Sequence, residues 1–167
     1  MAIFLNAIVG LIQLVVSILF AVVALYAGFY VFHLITGGFD AAGEIKKGNI
    51  AVGILVASIF IGISIAVDAG VRGILDGLSN IVADGTISLS DSVYVLSSLT
   101  ELALGILLAV AAIYGVMYIT ARVSPTLDML REIKYGNAGV ASVVASMIIA
   151  VSAIIHYGVA GIVGALF

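Results

Sequence analysis

Four long apolar runs alternate with short polar stretches along this chain. The runs cover about 8–36, 50–74, 93–121 and 138–166. Each exceeds the roughly 20 residues that a helix needs to cross a bilayer core. Residues 50–67, 102–121 and 136–155 contain no Asp, Glu, Lys or Arg. The pattern predicts an all-α, polytopic membrane protein with four transmembrane helices in a single membrane domain over 1–167. The amino-terminal run lacks a basic flank and an A-x-A site and continues past Tyr30, so it is expected to be a span and not a cleaved leader.

The polar stretches between spans one and two and between spans three and four repeat. D-x-x-x-E-I-K-x-G-N occurs as Asp40, Glu44, Ile45, Lys46, Gly48, Asn49 and again as Asp128, Glu132, Ile133, Lys134, Gly136, Asn137, 88 residues further on. The same offset joins Val52 to Val140, Ser58 to Ser146, Ser64 to Ser152, Gly70 to Gly158 and Gly73 to Gly161. Upstream it joins Leu14 to Leu102, Ala21 to Ala109, Tyr26 to Tyr114 and Tyr30 to Tyr118. The chain reads as a tandem duplication, with repeat one over 1–80, repeat two over 90–167 and an outer loop over 75–92. Two spans per repeat give both repeats the same, non-inverted orientation.

The repeated motif carries capping chemistry. Ser124 and Pro125 read as N-cap and first residue of a short interfacial helix. Asp128 and Glu132 fall in its early turns and Lys134 in its last, in keeping with the helix dipole. Gly136 suits a left-handed C′ position and Asn137 the N-cap of span four. Asp40, Glu44, Lys46, Gly48 and Asn49 read the same way in the first repeat. Capping explains every residue of the motif; the functional alternative is a charged platform for a partner protein or lipid headgroups.

Composition agrees with a membrane chain: 64% hydrophobic, 9% charged and a mean hydropathy of +1.38. Five basic residues (Lys46, Lys47, Arg122, Arg131, Lys134) lie between the paired spans, against Arg72 alone on the other side. The positive-inside rule then puts both hairpin loops in the cytoplasm and both termini outside. The chain has no cysteine, which excludes disulfides, thiolate catalysis and cysteine-ligated metals. Six basic residues spread over short loops exclude nucleic-acid binding.

The stretch Glu44 to Ile65, E-I-K-K-G-N-I-A-V-G-I-L-V-A-S-I-F-I-G-I-S-I, resembles the domain-of-unknown-function 350 family, prokaryotic inner-membrane proteins with four predicted spans built from two such repeats. The resemblance covers nearly the whole chain and implies a fold and a location in the cell membrane, with no established activity and no functional residue to carry over. The second repeat departs from the first at Tyr135 and Ala138-Gly139, where the first has Lys47 and Ile50-Ala51.

Four polar residues remain inside the spans. The offset pairs Gln13 with Glu101 and Asp68 with His156. Counted from Asn49 and Arg122, Asp68 and Glu101 lie roughly 28 and 31 Å from the inner boundary, so the four are expected to form one polar layer near the outer face. They end stripes of small residues: Gln13, Ser17, Ala21, Ala24; Gly53, Ala57, Ser64, Asp68; Glu101, Gly105, Ala109, Ala112; and Ala141, Ala145, Ser152, His156. Such stripes let helices approach closely, and ionisable residues beside them often mark ion or proton pathways. The structural reading of the same residues is a set of interhelical hydrogen bonds, Glu101 with His156 and Asp68 with Gln13, each contributing about 0.6 kcal/mol.

No HExxH, GxSxG, P-loop or dinucleotide fingerprint occurs, and Asp76, Asn80 and Asp84 lack the EF-hand pattern. The chain is therefore expected to be no enzyme, with no catalytic, cofactor-binding or metal site. Two functions are left. One is an oligomeric membrane scaffold or accessory subunit whose cytoplasmic hairpin loops recruit a soluble partner. The other is an oligomeric conduit for ions, protons or small solutes through the outer polar layer.

Overall fold

A computed structural model describes residues 2–84, 89–123 and 128–166. Four long helices, α1 (Ala2–Thr36), α3 (Ile50–Asp84), α4 (Leu89–Val123) and α6 (Ala138–Leu166), alternate with two six-residue helices, α2 (Ala41–Lys46) and α5 (Met129–Lys134). Each long helix contains a stretch long and apolar enough to cross a membrane. The chain is a helical, multi-pass membrane protein.

The connection between α3 and α4 is shorter than the outer loop expected over 75–92. Residues 75–84 continue α3 and residues 89–92 already belong to α4. Tertiary packing explains the extension. A Cβ at Gly73 would overlap the Ser98 hydroxyl, and one at Gly77 would lie 2.9 Å from a Val95 methyl. The α3–α4 seam thus continues beyond the apolar run and keeps polar sequence helical. No positive-φ residue or cis bond interrupts the described part of that segment.

Short helices end where their caps dictate. Asp40 and Asp128 are the N-caps, accepting from the backbone N–H of Gly43 and Arg131 at 2.9 and 3.1 Å. Asp128 therefore takes the capping place that the sequence assigned to Ser124; Ser124 and Pro125 lie outside the described residues. An N-cap carboxylate satisfies an orphan amide and also complements the helix dipole, which a neutral serine does not. Gly48 and Gly136 have φ of 86° and 89°, the left-handed conformation that closes a helix. The amides of Gly48 and Asn49 return to the carbonyls of Ile45 and Glu44, and those of Gly136 and Asn137 to Ile133 and Glu132, at 2.9–3.0 Å. Both short helices end in the same Schellman arrangement.

α3 is the centre of the bundle. It packs against α1, α4 and α6, with its most extensive contacts to α4 and α6, whereas α1 rests chiefly on α3 and does not close on α6. The core follows from this arrangement: Leu55, Ile59 and Ile63 of α3, Ala109 and Ile113 of α4, Ala141, Val144 and Ile148 of α6. Two glycines set the α3–α4 distance. A Cβ at Gly70 would lie 2.5 Å from the backbone N of Leu102, and one at Gly105 would overlap the Ala66 carbonyl. In lipid there is no hydrophobic drive to bring helices together, so this backbone-to-backbone fit supplies the attraction. The hydroxyls of Ser17, Ser58 and Thr120 inside the spans bond to the carbonyls of Gln13, Leu55 and Val116 on their own helices, which removes most of their cost in an apolar medium.

Candidate functional site

The hairpin ends form the first candidate site. Glu44 accepts from Lys47 Nζ at 2.8 Å and from Asn49 Nδ2 at 3.5 Å. The Lys47 ammonium, then the Asn49 amide, hold its carboxyl below the usual 4.5. Glu132 accepts from Asn137 Nδ2 at 2.9 Å. Asn49 and Asn137 cap α3 and α6, accepting from the amides of Val52 and Val140 at 3.2 Å. The two asparagines then diverge. Asn49 Nδ2 also donates to the Ile133 and Lys134 carbonyls at 3.3 and 2.9 Å, and so joins the start of α3 to the end of α5.

Two further contacts lock the ends together. Ile133 is buried, and the Lys134 ammonium lies 5.4 Å from the centroid of Phe39 in the α1–α2 link. Between that link and α5 opens a groove of about 560 Å³, lined among others by Gly38, Phe39, Asp128, Arg131, Lys134 and Tyr135. Arg131 is stacked over Tyr135 at 5.6 Å. Lys46 is exposed in the last turn of α2. The sequence located the glycine C′ positions and the asparagine caps, and it missed Asp40 and Asp128 as N-caps. The link through Asn49, the burial of Ile133 and the part of Phe39 were not legible, because each is a contact between segments some 84–95 residues apart.

The second candidate site, the polar layer, does not close. Gln13 Nε2 donates to the Leu75 carbonyl at 3.2 Å, about two helical turns, roughly 10 Å, along α3 from Asp68. Asp68 pairs with Arg72 on its own helix, so Asp68 and Gln13 do not meet. Arg72 was the readable signal here, being an i,i+4 partner on the same face. Glu101 lines a groove with Tyr94, Ser97 and Val163, whereas His156 shares a different groove with Ser64, Asp68, Arg72 and Tyr157. Glu101 makes no ion pair with His156 among the described residues. Residues at similar counted depth thus line different grooves. The small-residue stripes divide too. Gly105 and Ala109, and Ala141, Ala145 and Ser152, are buried, while Ala21, Ala57 and Ser64 are exposed.

The sequence profile of the family described as Domain of Unknown Function (DUF350) matches residues 6–159, nearly the whole chain. This chain is a member of the DUF350 family. Comparison with curated proteins and with solved structures gave no match. Within this DUF350 chain the matched region takes in three spans, most of the fourth and both capped hairpins, and with them Gln13, Asp68, Glu101 and His156. Among the described residues no group of three His, Asp or Glu stands close enough to hold a metal. Two buried polar atoms, Ser152 Oγ and His156 Nδ1, have no hydrogen-bond partner; they lie one turn apart on the side of α6 that meets α3.

Proposed function

We propose that this chain is a scaffold or accessory subunit of a membrane assembly, itself a homo-oligomer in the cell membrane, with both hairpins in the cytoplasm and both termini outside. The hairpin ends are its recruiting surface for a soluble partner. One observation carries this reading: the two ends are joined by Asn49 and Lys134 into one platform bearing a groove, while Gln13 and Glu101 lie apart from the groove that Asp68 shares with His156. Cations at Arg131 and Lys134 beside an apolar floor suit a partner segment that is acidic and amphipathic.

In sealed liposomes the purified protein is expected to leave ion and proton flux at the level of protein-free vesicles. The double substitution Arg131→Ala with Lys134→Ala is expected to lose the soluble protein that co-purifies from native membranes, with helicity unchanged. Flux well above the empty-vesicle level would overturn the scaffold reading. The orientation has its own test. Ala42→Cys and Asn80→Cys place single thiols at exposed positions in this cysteine-free chain; Gly38 is unsuitable because its φ is 83°. An impermeant maleimide is expected to label intact cells at residue 80 and not at residue 42, and the opposite result would reverse the topology.

A conduit is the second reading, and the groove of Asp68, Arg72 and His156 beside the unpartnered Ser152 hydroxyl favours it. On that reading Asp68→Asn and His156→Ala change proton flux in liposomes while the protein stays folded. On the scaffold reading they change stability alone.

A further inference from the structure

Positions 88 residues apart correspond in α3 and α6, yet the fold buries them unequally. Leu55 is 2% exposed and Val143 49%; Ala66 is 2% and Ile154 70%. Gly70 and Gly73 press against Leu102 and Ser98 of α4, while nothing lies within 4 Å of a Cβ at Gly158 or Gly161. Beyond the spans the contrast persists: Ile133 of α5 is 2% exposed and Ile45 of α2 46%. Asn49 reaches the last carbonyls of α5, and Asn137 reaches only its own Glu132. One face of α3 is thus covered by the second hairpin, and among the described residues the matching face of α6 is bare.

The covering elements are duplicated as well. The part of α4 that meets Gly70 and Gly73 corresponds to the Gly10–Leu14 part of α1. There Leu14 is exposed and a Cβ at Gly10 would meet nothing. The α6 surface that meets α3 through Ser152 and Gly62 corresponds on α3 to the exposed Ser64. A closed two-fold inside one chain would bring α1 onto α6 and cover these faces, but α1 stays with α3. The contact between hairpins therefore has a head and a tail, and both are left open.

We infer that a second copy of this chain docks its α1–α2–α3 hairpin on the bare face of α6, in the way α4–α5–α6 docks on α3 within one chain. This rests on the proposal that the protein assembles, and it names the surfaces. Gly158 of one copy takes Leu14 of the other, Gly161 takes Gly10, Ala150 takes Ser64, and Val143 covers Ile45. The amide of Asn137 gains the Ile45 and Lys46 carbonyls of the second copy, as Asn49 has those of Ile133 and Lys134. Ile154 facing Ser17, where Ala66 faces Gly105, sets these helices farther apart than α3 and α4. Exposed leucine and valine alone would be ordinary lipid-facing surface. The bare glycines and a polar cap missing its second set of partners mark a helix-packing face. A heterologous contact of this kind builds a ring or a row, because each copy keeps one free head and one free tail until the assembly closes.

Cross-linking between differently tagged copies tests this. One copy carries Val143→Cys and the other Ile45→Cys; a second pair carries Gly161→Cys and Gly10→Cys, and all four positions are exposed. On oxidation in native membranes both pairs are expected to lose their monomer bands to a reducible dimer bearing both tags, while each variant alone stays monomeric. Val143→Cys and Ile45→Cys in the same chain should give a ladder extending beyond dimer. A variant that cross-links to itself would indicate a two-fold contact and overturn the inference. So would two pairs that stay monomeric while a permeant maleimide labels their thiols. Native mass spectrometry from nanodiscs then separates the two proposals. Multimers without these cross-links overturn the docking surface and leave assembly standing, whereas single copies overturn both.

Discussion

Gly105→Leu is expected to break the α3–α4 seam, with a loss of stability at or above about 3 kcal/mol, the upper end for overpacking. The neighbour that a side chain would meet is the Ala66 carbonyl, part of a helix backbone, and no rotamer change relieves such a clash. Gly70→Leu should behave alike, since its obstacle is the backbone of Leu102. Separating the helices to admit the side chain would also give up the close contact that holds them in lipid. Gly115→Leu is the control: nothing lies within 4 Å of a Cβ there, and leucine is the better helix former by roughly 0.7 kcal/mol. Unfolding in detergent, followed by circular dichroism, should show a large fall in midpoint for the first two and little change or a small rise for the third. Three equal midpoints would show that the seam does not depend on close backbone approach.

Asn49→Ala should destabilise the protein by roughly 2–3 kcal/mol, against about 1 kcal/mol for Asn137→Ala. Both lose a cap, which contributes about 1 kcal/mol. Asn49 alone also loses two hydrogen bonds to α5 carbonyls, each contributing about 1 kcal/mol net. The Lys134 carbonyl has no intrahelical partner at the end of α5, so the asparagine amide is what satisfies it. The measurement is chemical unfolding in detergent at a dilution where the protein is monomeric, because in an assembly Asn137 would gain the same contacts. Identical losses for the two variants would mean that the link between the hairpin ends contributes nothing to stability.

Much of this was readable from residues. Capping chemistry is local: Asp40, Gly48, the side-chain oxygen of Asn49 and their counterparts find their capping partners within five residues, so a sequence pattern contains those partners. Span length follows from the bilayer thickness, which is why the four apolar runs became four long helices. The extension of α3 to Asp84 was not readable, because it depends on Ser98 and Val95 of another helix. The partners within the polar layer were not readable for the same reason: depth along a helix does not say which groove a side chain lines, and Glu101 and His156 line different ones.

The sequence by itself determined that the chain crosses a membrane with four helices, where the short helices end, and that matching residues recur at one spacing. These depend on solvent transfer and backbone hydrogen bonding, which act within a segment. Only the tertiary structure decided which matching residues are buried. Gly70 and Gly158 are the same residue in the same pattern, yet one lies against Leu102 and the other is open. Burial is a property of neighbours: α4 covers the Gly70 face of α3, and among the described residues nothing covers the Gly158 face of α6.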